Sequence, residues 1–276
     1  MRQTSGSMLC PNCSKLIGVT EERCPFCGAW RPGLFGFAPG LQRLFGARLD
    51  VIALISGACV VLYAISLVLQ PDAILGHIGL FSFLSPGTRA LYQLGMTGGV
   101  AWREGWWWTL LTAIYLHGGL LHIFFNLMWV RNLGPSVTEV FGPARAFVIF
   151  SISGVTGFLL SNVASGSPTI GASCSIFGLL AALIVYGRRR GSSLLTTQLY
   201  QWAILMFVMG FFMPSVNNWG HAGGFAGGWV TAEAMGLSGE RRESVAVQIL
   251  ALALLVLTVV GFVLSFIRVT AILARG

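Results

Sequence analysis

Charged side chains are scarce in this chain of 276 residues: Asp, Glu, Lys and Arg together make up 9% of it. A soluble domain of this size carries about a quarter charged residues. Hydrophobic residues reach 55%, and a soluble core cannot bury so much apolar surface. The composition therefore predicts a protein that crosses a membrane several times.

Acidic residues number nine, against 17 lysines and arginines, and the net charge is +8. The basic residues lie between apolar runs instead of gathering on one polar stretch. That distribution is typical of a membrane topology signal and does not favour nucleic-acid binding. If the N-terminus is cytosolic, 13 of the 17 basic residues fall on the cytoplasmic side. The sequence therefore predicts a cytoplasmic N-terminus.

The first residues, MRQTSGSMLCPNC, lack the apolar stretch of a cleaved secretory signal, so the first hydrophobic span is expected to remain as an anchor.

Seven apolar runs approach or exceed the ~20 residues that a helix needs to cross a bilayer. Seven spans would leave the C-terminus outside the cytoplasm. Without an organelle signal, the simplest location is the plasma membrane, the inner one in a cell that has two. The runs lie near 50–70, 107–130, 143–165, 171–187, 199–214, 217–237 and 246–267. Between the first two, the segment 71–106 is too interrupted by glycine and proline to span, and its tryptophans suit the membrane interface.

The cysteines do not indicate a disulfide framework. Two of the six, Cys59 and Cys174, lie in apolar segments. The others form the pairs CPNC and CPFC, which present four thiolates to one tetrahedral ion, and Zn²⁺ is the usual occupant. A cytosolic location favours zinc over disulfides, although a redox or vestigial pair of motifs is the alternative. We expect a small structural zinc ribbon that takes no part in catalysis and that has a possible protein partner, with the ligands Cys10, Cys13, Cys24 and Cys27.

Polar residues inside apolar helices cost free energy, and Ser173 is one of them. Pro168 and Gly171 mark the start of a helix, so Ser173 lies in its first turn. The backbone N–H groups there lack intrahelical partners and can stabilise an oxyanion. Serine is also a common packing residue between membrane helices, which is the alternative interpretation.

A second polar position, His221, heads a stretch in which glycine recurs every four residues, at 220, 224 and 228. Small residues at this spacing allow two helix backbones to approach closely. If the partner helix carries Ser173, a Ser–His pair results. Alternatively, His221 is bonded to a carbonyl group or lines a polar cavity.

A third cluster comprises His122 and Asn126, which are four residues apart and project from one helix face, with His117 slightly earlier. Their N–H groups could bind an oxyanion, or the face could serve only interhelical hydrogen bonds. With a cytosolic N-terminus, all three clusters lie in the outer half of the membrane. No acidic residue lies within a turn of His221, so we expect a Ser–His dyad instead of a triad.

Four motifs together resemble the rhomboid intramembrane serine proteases. They are WR at 102–103, HxxxxHxxxN at 117–126, GxSx at 171–174 and HxxGxxxG at 221–228. Their order and spacing match from about residue 50 to 237. The resemblance implies an all-α polytopic membrane fold with a six-helix core at 49–237, to which 238–276 add a loop and a seventh, C-terminal helix. The zinc-ribbon module (1–31) and a linker (32–48) precede the core and lie outside the match.

The resemblance also implies cleavage of transmembrane proteins near the outer membrane face, without a catalytic metal or nucleotide. The expected substrates are single-span proteins in the surrounding lipid bilayer, with helices that unwind easily. By motif position, Ser173 is the nucleophile and His221 the general base. The other matching positions are His122 and Asn126, which with the Ser173 backbone N–H form the oxyanion hole, and the supporting residues Gly171, Gly224, Gly228 and Arg103. Arg103 and Glu139 are interpreted as structural.

One position departs from the family pattern, because Cys174 stands where glycine is frequent. Its side chain is expected to crowd the approach to Ser173. This leaves room for an alternative function, a catalytically silent rhomboid-like protein that binds or escorts membrane proteins. A transporter is the third alternative, but its helices would need the acid relays or arginine pairs that the sequence lacks.

Overall fold

The computed structural model describes residues 3–10, 13, 15–39, 50–75, 83–213, 216–237 and 243–274. The chain divides into two compact units, Met1–Leu54 and Ile55–Gly276. Residues 40–48 of the expected linker lie outside the described ranges. So do residues 76–82 of the expected interfacial segment and 238–242 of the loop before the last helix.

The first unit contains an antiparallel pair of strands, β1 (Ser7–Leu9) and β2 (Leu16–Gly18), with Met8 opposite Ile17. The two cysteine turns close in the same way. The Cys10 N–H donates to the Lys15 carbonyl, and the Cys24 N–H donates to the Ala29 carbonyl, both at 2.9 Å. Each turn thus directs its two cysteines inward, where they join a core with Met8, Ile17, Val19 and Ala38.

In the described residues of the second unit the regular elements are helices, as the apolar composition predicts, and an isolated β-bridge pairs Thr97 with Thr169. Among the described residues, three helices are long and apolar enough to cross a membrane, Val51–Leu69, Pro143–Ala164 and Val245–Leu273, and the broken pair Thr109–Tyr115 and Leu120–Phe141 would be a fourth span. The prediction of an all-α polytopic membrane protein is confirmed. In chain order the helices are α1 Val51–Leu69, α2 Asp72–Leu75, α3 Thr88–Gln93, α4 Gly99–Arg103, α5 Thr109–Thr112 with a 3₁₀ turn Ala113–Tyr115, α6 Leu120–Phe141, α7 Pro143–Ala164, α8 Ser173–Arg189, α9 Ser193–Met209, α10 Asn218–Ala234 and α11 Val245–Leu273.

The second predicted span, 107–130, differs from the structure, because the chain breaks within it. The helical segment Thr109–Tyr115 and α6 are bent by 94° across the break at 116–119, so α6 begins only at Leu120. It then continues through Pro135 to Phe141, since polar residues after position 130 do not end it. The fifth predicted span, near 199–214, corresponds to α9, which begins earlier, at Ser193. The chain turns at Gly191, where φ is 69°, and enters the helix directly.

Glycines on α10 govern the packing around the site. A Cβ at Gly224 would collide with the Cys174 carbonyl group of α8, and one at Gly228 would collide with the Gly178 backbone of the same helix. On the neighbouring row of α10, a Cβ at Gly223 would lie 2.8 Å from the Thr156 carbonyl oxygen of α7. Two rows of glycine therefore let α10 lie against both α7 and α8, which sets the position of its first turn.

Candidate active site

Ser173 is the first residue of α8, and its side chain is half-buried. The loop before it is anchored by its backbone: the Thr169 N–H donates to the Thr97 carbonyl and the Gly171 N–H to the Ala113 carbonyl, both at 2.9 Å. Gly171 has a φ of 122°, a backbone conformation that residues with a side chain rarely adopt. The chain therefore enters α8 through a fixed turn, and the free N–H groups of the first helical turn begin at Ser173.

His221 lies in the first turn of α10 and is buried. Its ring stacks on that of Phe177, with centroids 4.4 Å apart and planes at 19°. Phe177 is four residues after Ser173 on α8, and residues at this spacing share one face of a helix. The stacking therefore places the imidazole at the face of α8 that carries Ser173.

The Nδ1 edge of the imidazole ring contacts a residue of its own helix, α10. The Asn218 Oδ1 lies 3.2 Å from the His221 Nδ1. Asn217 caps the helix, since its Oδ1 accepts from the Trp219 N–H at 3.1 Å, and its Nδ2 donates to the Ser161 Oγ at 2.6 Å. The cap thus ties the start of α10 to the end of α7, and both asparagines fix where the histidine sits.

His122 and Asn126 both lie on α6. The Gly118 N–H donates to the His122 Nδ1 at 3.2 Å, which leaves the proton of a neutral imidazole on Nε2. That Nε2 faces Gly171, where a Cβ would lie only 2.7 Å away. Asn126 is buried and its Nδ2 donates to the His122 carbonyl at 2.8 Å. The structure therefore brings His122 to the turn before Ser173, with Asn126 one helical turn beyond it.

The remaining predicted residues take more distant places. His117 lies in the break before α6, with its ring 5.1 Å from that of His122 in an edge-on arrangement. Arg103 ends α4 with an exposed side chain, and Gly228 packs on Gly178 two turns beyond His221. Of these residues, Gly228 serves the packing of α10 on α8.

Phe177, Asn217 and Asn218 were not among the candidates from sequence. Asn217 could have been found, because asparagine before a helix is a frequent N-cap. The Phe177–His221 stack could not, since it depends on the crossing of two helices.

Cys174 follows Ser173 on α8, and its side chain fills a space beside two neighbouring helices. It is buried between α7 and α10, where a Cβ at Gly157 would lie 2.6 Å from its Cβ, and one at Gly220 would lie 2.9 Å from its Sγ. Glycine on both neighbouring helices therefore provides the volume that the thiol occupies.

A separate cluster in the first unit could hold a metal ion. The Sγ atoms of Cys10, Cys13, Cys24 and Cys27 all lie within 4.8 Å of one another. The Cys10–Cys27 and Cys13–Cys24 pairs are each 3.7 Å apart, too far for disulfides of about 2.05 Å. Four thiolates around a tetrahedral ion at about 2.3 Å are separated by about 3.8 Å. The donor set and its spacing therefore fit a tetrahedral metal site.

Residues 104–238 match the family model described as the rhomboid domain. The chain is 33% identical over 181 residues to rhomboid protease GluP of Bacillus subtilis, covering 64% of this chain and 35% of GluP. It is 30% identical over 164 residues to the putative rhomboid protease YdcA of the same species, covering 55% of this chain and 79% of YdcA. Inactive RHOMBOID-like protein 8 of Arabidopsis thaliana is 30% identical over 166 residues, or 54% of this chain and 46% of that protein. The chain spans about a third to a half of the length of several curated relatives that it matches.

Proposed function

The chain belongs to the rhomboid family, and we propose that it is an intramembrane serine endopeptidase in which Ser173 is the nucleophile and His221 the general base. The observation that carries this proposal is the stacking of His221 on Phe177, one turn after Ser173 on the same helix face. A dyad needs the imidazole beside the hydroxyl, and this contact between α8 and α10 supports that placement.

In the proposed reaction, the Ser173 Oγ attacks the scissile carbonyl carbon while its proton passes to the His221 Nε2. The tetrahedral intermediate collapses as the C–N bond breaks, and the imidazolium gives the proton to the leaving nitrogen. Water then attacks the acyl ester, again losing a proton to His221. The Ser173–acyl bond breaks, and the proton returns to the serine oxygen.

Three N–H groups would stabilise the negative oxygen of the intermediate. The backbone N–H of Ser173 begins the first turn of α8, where the helix dipole is positive. The Nε2–H of His122 faces the adjacent Gly171, since the Nδ1 accepts from Gly118. The Asn126 Nδ2 carries a second hydrogen besides the one that it donates to the His122 carbonyl. Donors held in place before the reaction are the main source of this kind of stabilisation.

The proposed site lies in the extracytoplasmic half of a plasma membrane. The starts of α6, α8 and α10 carry the candidate residues, and alternate spans begin on the same side of a bilayer. The excess of basic residues near the N-terminus and in the α8–α9 turn favours a cytoplasmic N-terminus. The proposed substrates are single-span membrane proteins whose helices unwind near the outer face, because a serine can attack only an extended backbone.

For the first unit we propose a structural Zn²⁺ bound by Cys10, Cys13, Cys24 and Cys27. When bound, the ion would crosslink the two cysteine turns of a core too small to fold without such support. No step of the proposed proteolysis uses the ion. We also propose that this module binds a protein partner.

A catalytically silent escort is the second candidate, because one relative bears the name of an inactive protein. Purified protein incubated with single-span reporter substrates separates the two, with Ser173→Ala and His221→Ala beside it and EDTA in one arm. Cleavage that both substitutions abolish and that EDTA leaves intact would support the dyad. A wild-type protein that neither cleaves nor takes a fluorophosphonate label at Ser173 would favour the escort.

A further inference from the structure

The last helix, α11, buries a narrow stripe of mostly small or polar side chains. Thr258, Gly261, Ser265 and Val269 are its buried residues, and they recur every three or four positions. Lipid-facing residues such as Val259 and Val263 are exposed. Small and polar residues on one face of a membrane helix indicate close packing against protein.

The stripe contacts both ends of the short helix α5. The Trp108 Nε1–H, at the start of α5, donates to the Ser265 Oγ at 2.9 Å, and both side chains are buried. Gly261 lies against the other end, where a Cβ would be 3.0 Å from the Thr112 Cγ2. Helix α11 therefore contacts α5 at both of its ends.

The segment that follows α5 reaches the candidate active site directly. The Thr112 Oγ1 donates to the Gly95 carbonyl at 2.7 Å, and the next residue, Ala113, accepts the Gly171 N–H through its carbonyl at 2.9 Å. A few residues later, the Gly118 N–H donates to the His122 Nδ1. One stretch of chain, 108–118, thus contacts α11 on one side and the turn before Ser173 on the other.

We propose that α11 positions the active site, and that Ser265 and Trp108 are its positioning residues. The inference rests on the proposed function and goes beyond it, since the six-helix core of the family resemblance makes this helix an addition. The hydrogen bond between Trp108 and Ser265 holds α5 so that the Ala113 carbonyl orients Gly171. Neither side chain needs to touch the substrate.

The test compares Ser265→Ala and Trp108→Phe with the wild-type full chain in detergent or nanodiscs. Thr258→Ala is the matched control, because the Thr258 Oγ1 is a buried hydroxyl on the same stripe and donates, among the described residues, to the Leu254 carbonyl of its own helix. Ser265→Thr keeps the hydroxyl and serves as the conservative variant. The readouts are the rate of fluorophosphonate labelling of Ser173, kcat and KM on a reporter, and hydrogen exchange of peptides spanning 165–173.

We expect Ser265→Ala and Trp108→Phe each to lower kcat and the labelling rate about fivefold to tenfold, as loss of one buried hydrogen bond would. KM should stay within about twofold, Ser265→Thr should retain most activity, and Thr258→Ala should match the wild type. The double variant should be no worse than either single one, since both remove the same bond.

Hydrogen exchange at 165–173 should rise in Ser265→Ala and not in Thr258→Ala. Hydrogen exchange does not require turnover, so it tests the positioning role even in an inactive protein. A wild type that neither cleaves nor labels would overturn only the proposed function. Unchanged exchange and labelling in both Ser265→Ala and Trp108→Phe would overturn the positioning role. Where Ser265→Ala fails to fold, Trp108→Phe provides the same comparison.

Discussion

The Asn218 Oδ1 and the His221 Nδ1 lie 3.2 Å apart within the first turn of α10. A carboxylate in this position would orient the imidazole and stabilise its charged form. The amide oxygen can only orient it: the neutral tautomer with its hydrogen on Nδ1 donates to this oxygen, and in the proposed mechanism its Nε2 lone pair then accepts the Ser173 proton. The asparagine therefore has the geometric role of the third triad member without its charge.

The first prediction concerns this pair. Asn218→Ala should lower kcat about tenfold, because the ring loses the acceptor that selects its tautomer, whereas KM should change little. Asn218→Asp keeps an acceptor at the same place and should retain more activity than the alanine variant. Steady-state kinetics on a reporter substrate measure both. Equal activity of Asn218→Ala and the wild type would mean that packing alone orients His221.

The second prediction concerns the stacked ring. Phe177→Leu should lower the fluorophosphonate labelling rate about fivefold, because an aromatic pair contributes about 1 kcal/mol beyond its buried area. Phe177→Tyr keeps the ring and is the control. If the leucine variant labels as fast as the tyrosine variant, the stack does not hold the imidazole near Ser173.

The third prediction concerns Gly171. Gly171→Ala should destabilise the protein by about 2 kcal/mol or more, since φ is 122° and the new Cβ would lie 2.7 Å from the His122 Nε2. Thermal unfolding measures the loss.

His122→Ala removes the colliding ring, so it separates the two causes. In that background, Gly171→Ala should cost less, with only the backbone strain remaining. The same cost in both backgrounds would assign the whole effect to the backbone.

The sequence predicts features that neighbouring residues determine, and it misses features that depend on contacts between distant parts of the chain. The fold class follows from composition, and the candidate residues follow from motif spacing within single helices. The break at 116–119 was missed because the apolar run from 107 onward does not distinguish a straight span from one that bends by 94°. The packing of the Cys174 side chain could not be predicted from local sequence, because it depends on glycines of two other helices, Gly157 and Gly220.

The fourth prediction follows from that arrangement. Gly157→Ala should destabilise the wild type by about 1–3 kcal/mol, because the added methyl group would overpack the space that the thiol fills. In a Cys174→Gly background the same substitution should cost less, since the Cys174 Cβ and Sγ are gone, but part of the cost should remain, because the Gly220 carbonyl oxygen is also 2.6 Å from the new Cβ. Unfolding of the two single variants and the double variant gives the coupling. Strict additivity would show that the cysteine and Gly157 do not compete for space.

The last prediction concerns the four-cysteine cluster, where the 3.7 Å sulfur separations fit a tetrahedral ion and not a disulfide. Elemental analysis of the purified chain should find one zinc per protein. Cys24→Ser should lose it, because three thiolates bind the ion far more weakly than four, whereas Cys59→Ser should keep it, since Cys59 lies in α1 outside the cluster. Removal of zinc by a chelator should leave the labelling of Ser173 unchanged, as the ion takes no part in the proposed chemistry. Zinc retained in Cys24→Ser, or labelling lost with the metal, would contradict a purely structural site in the first unit.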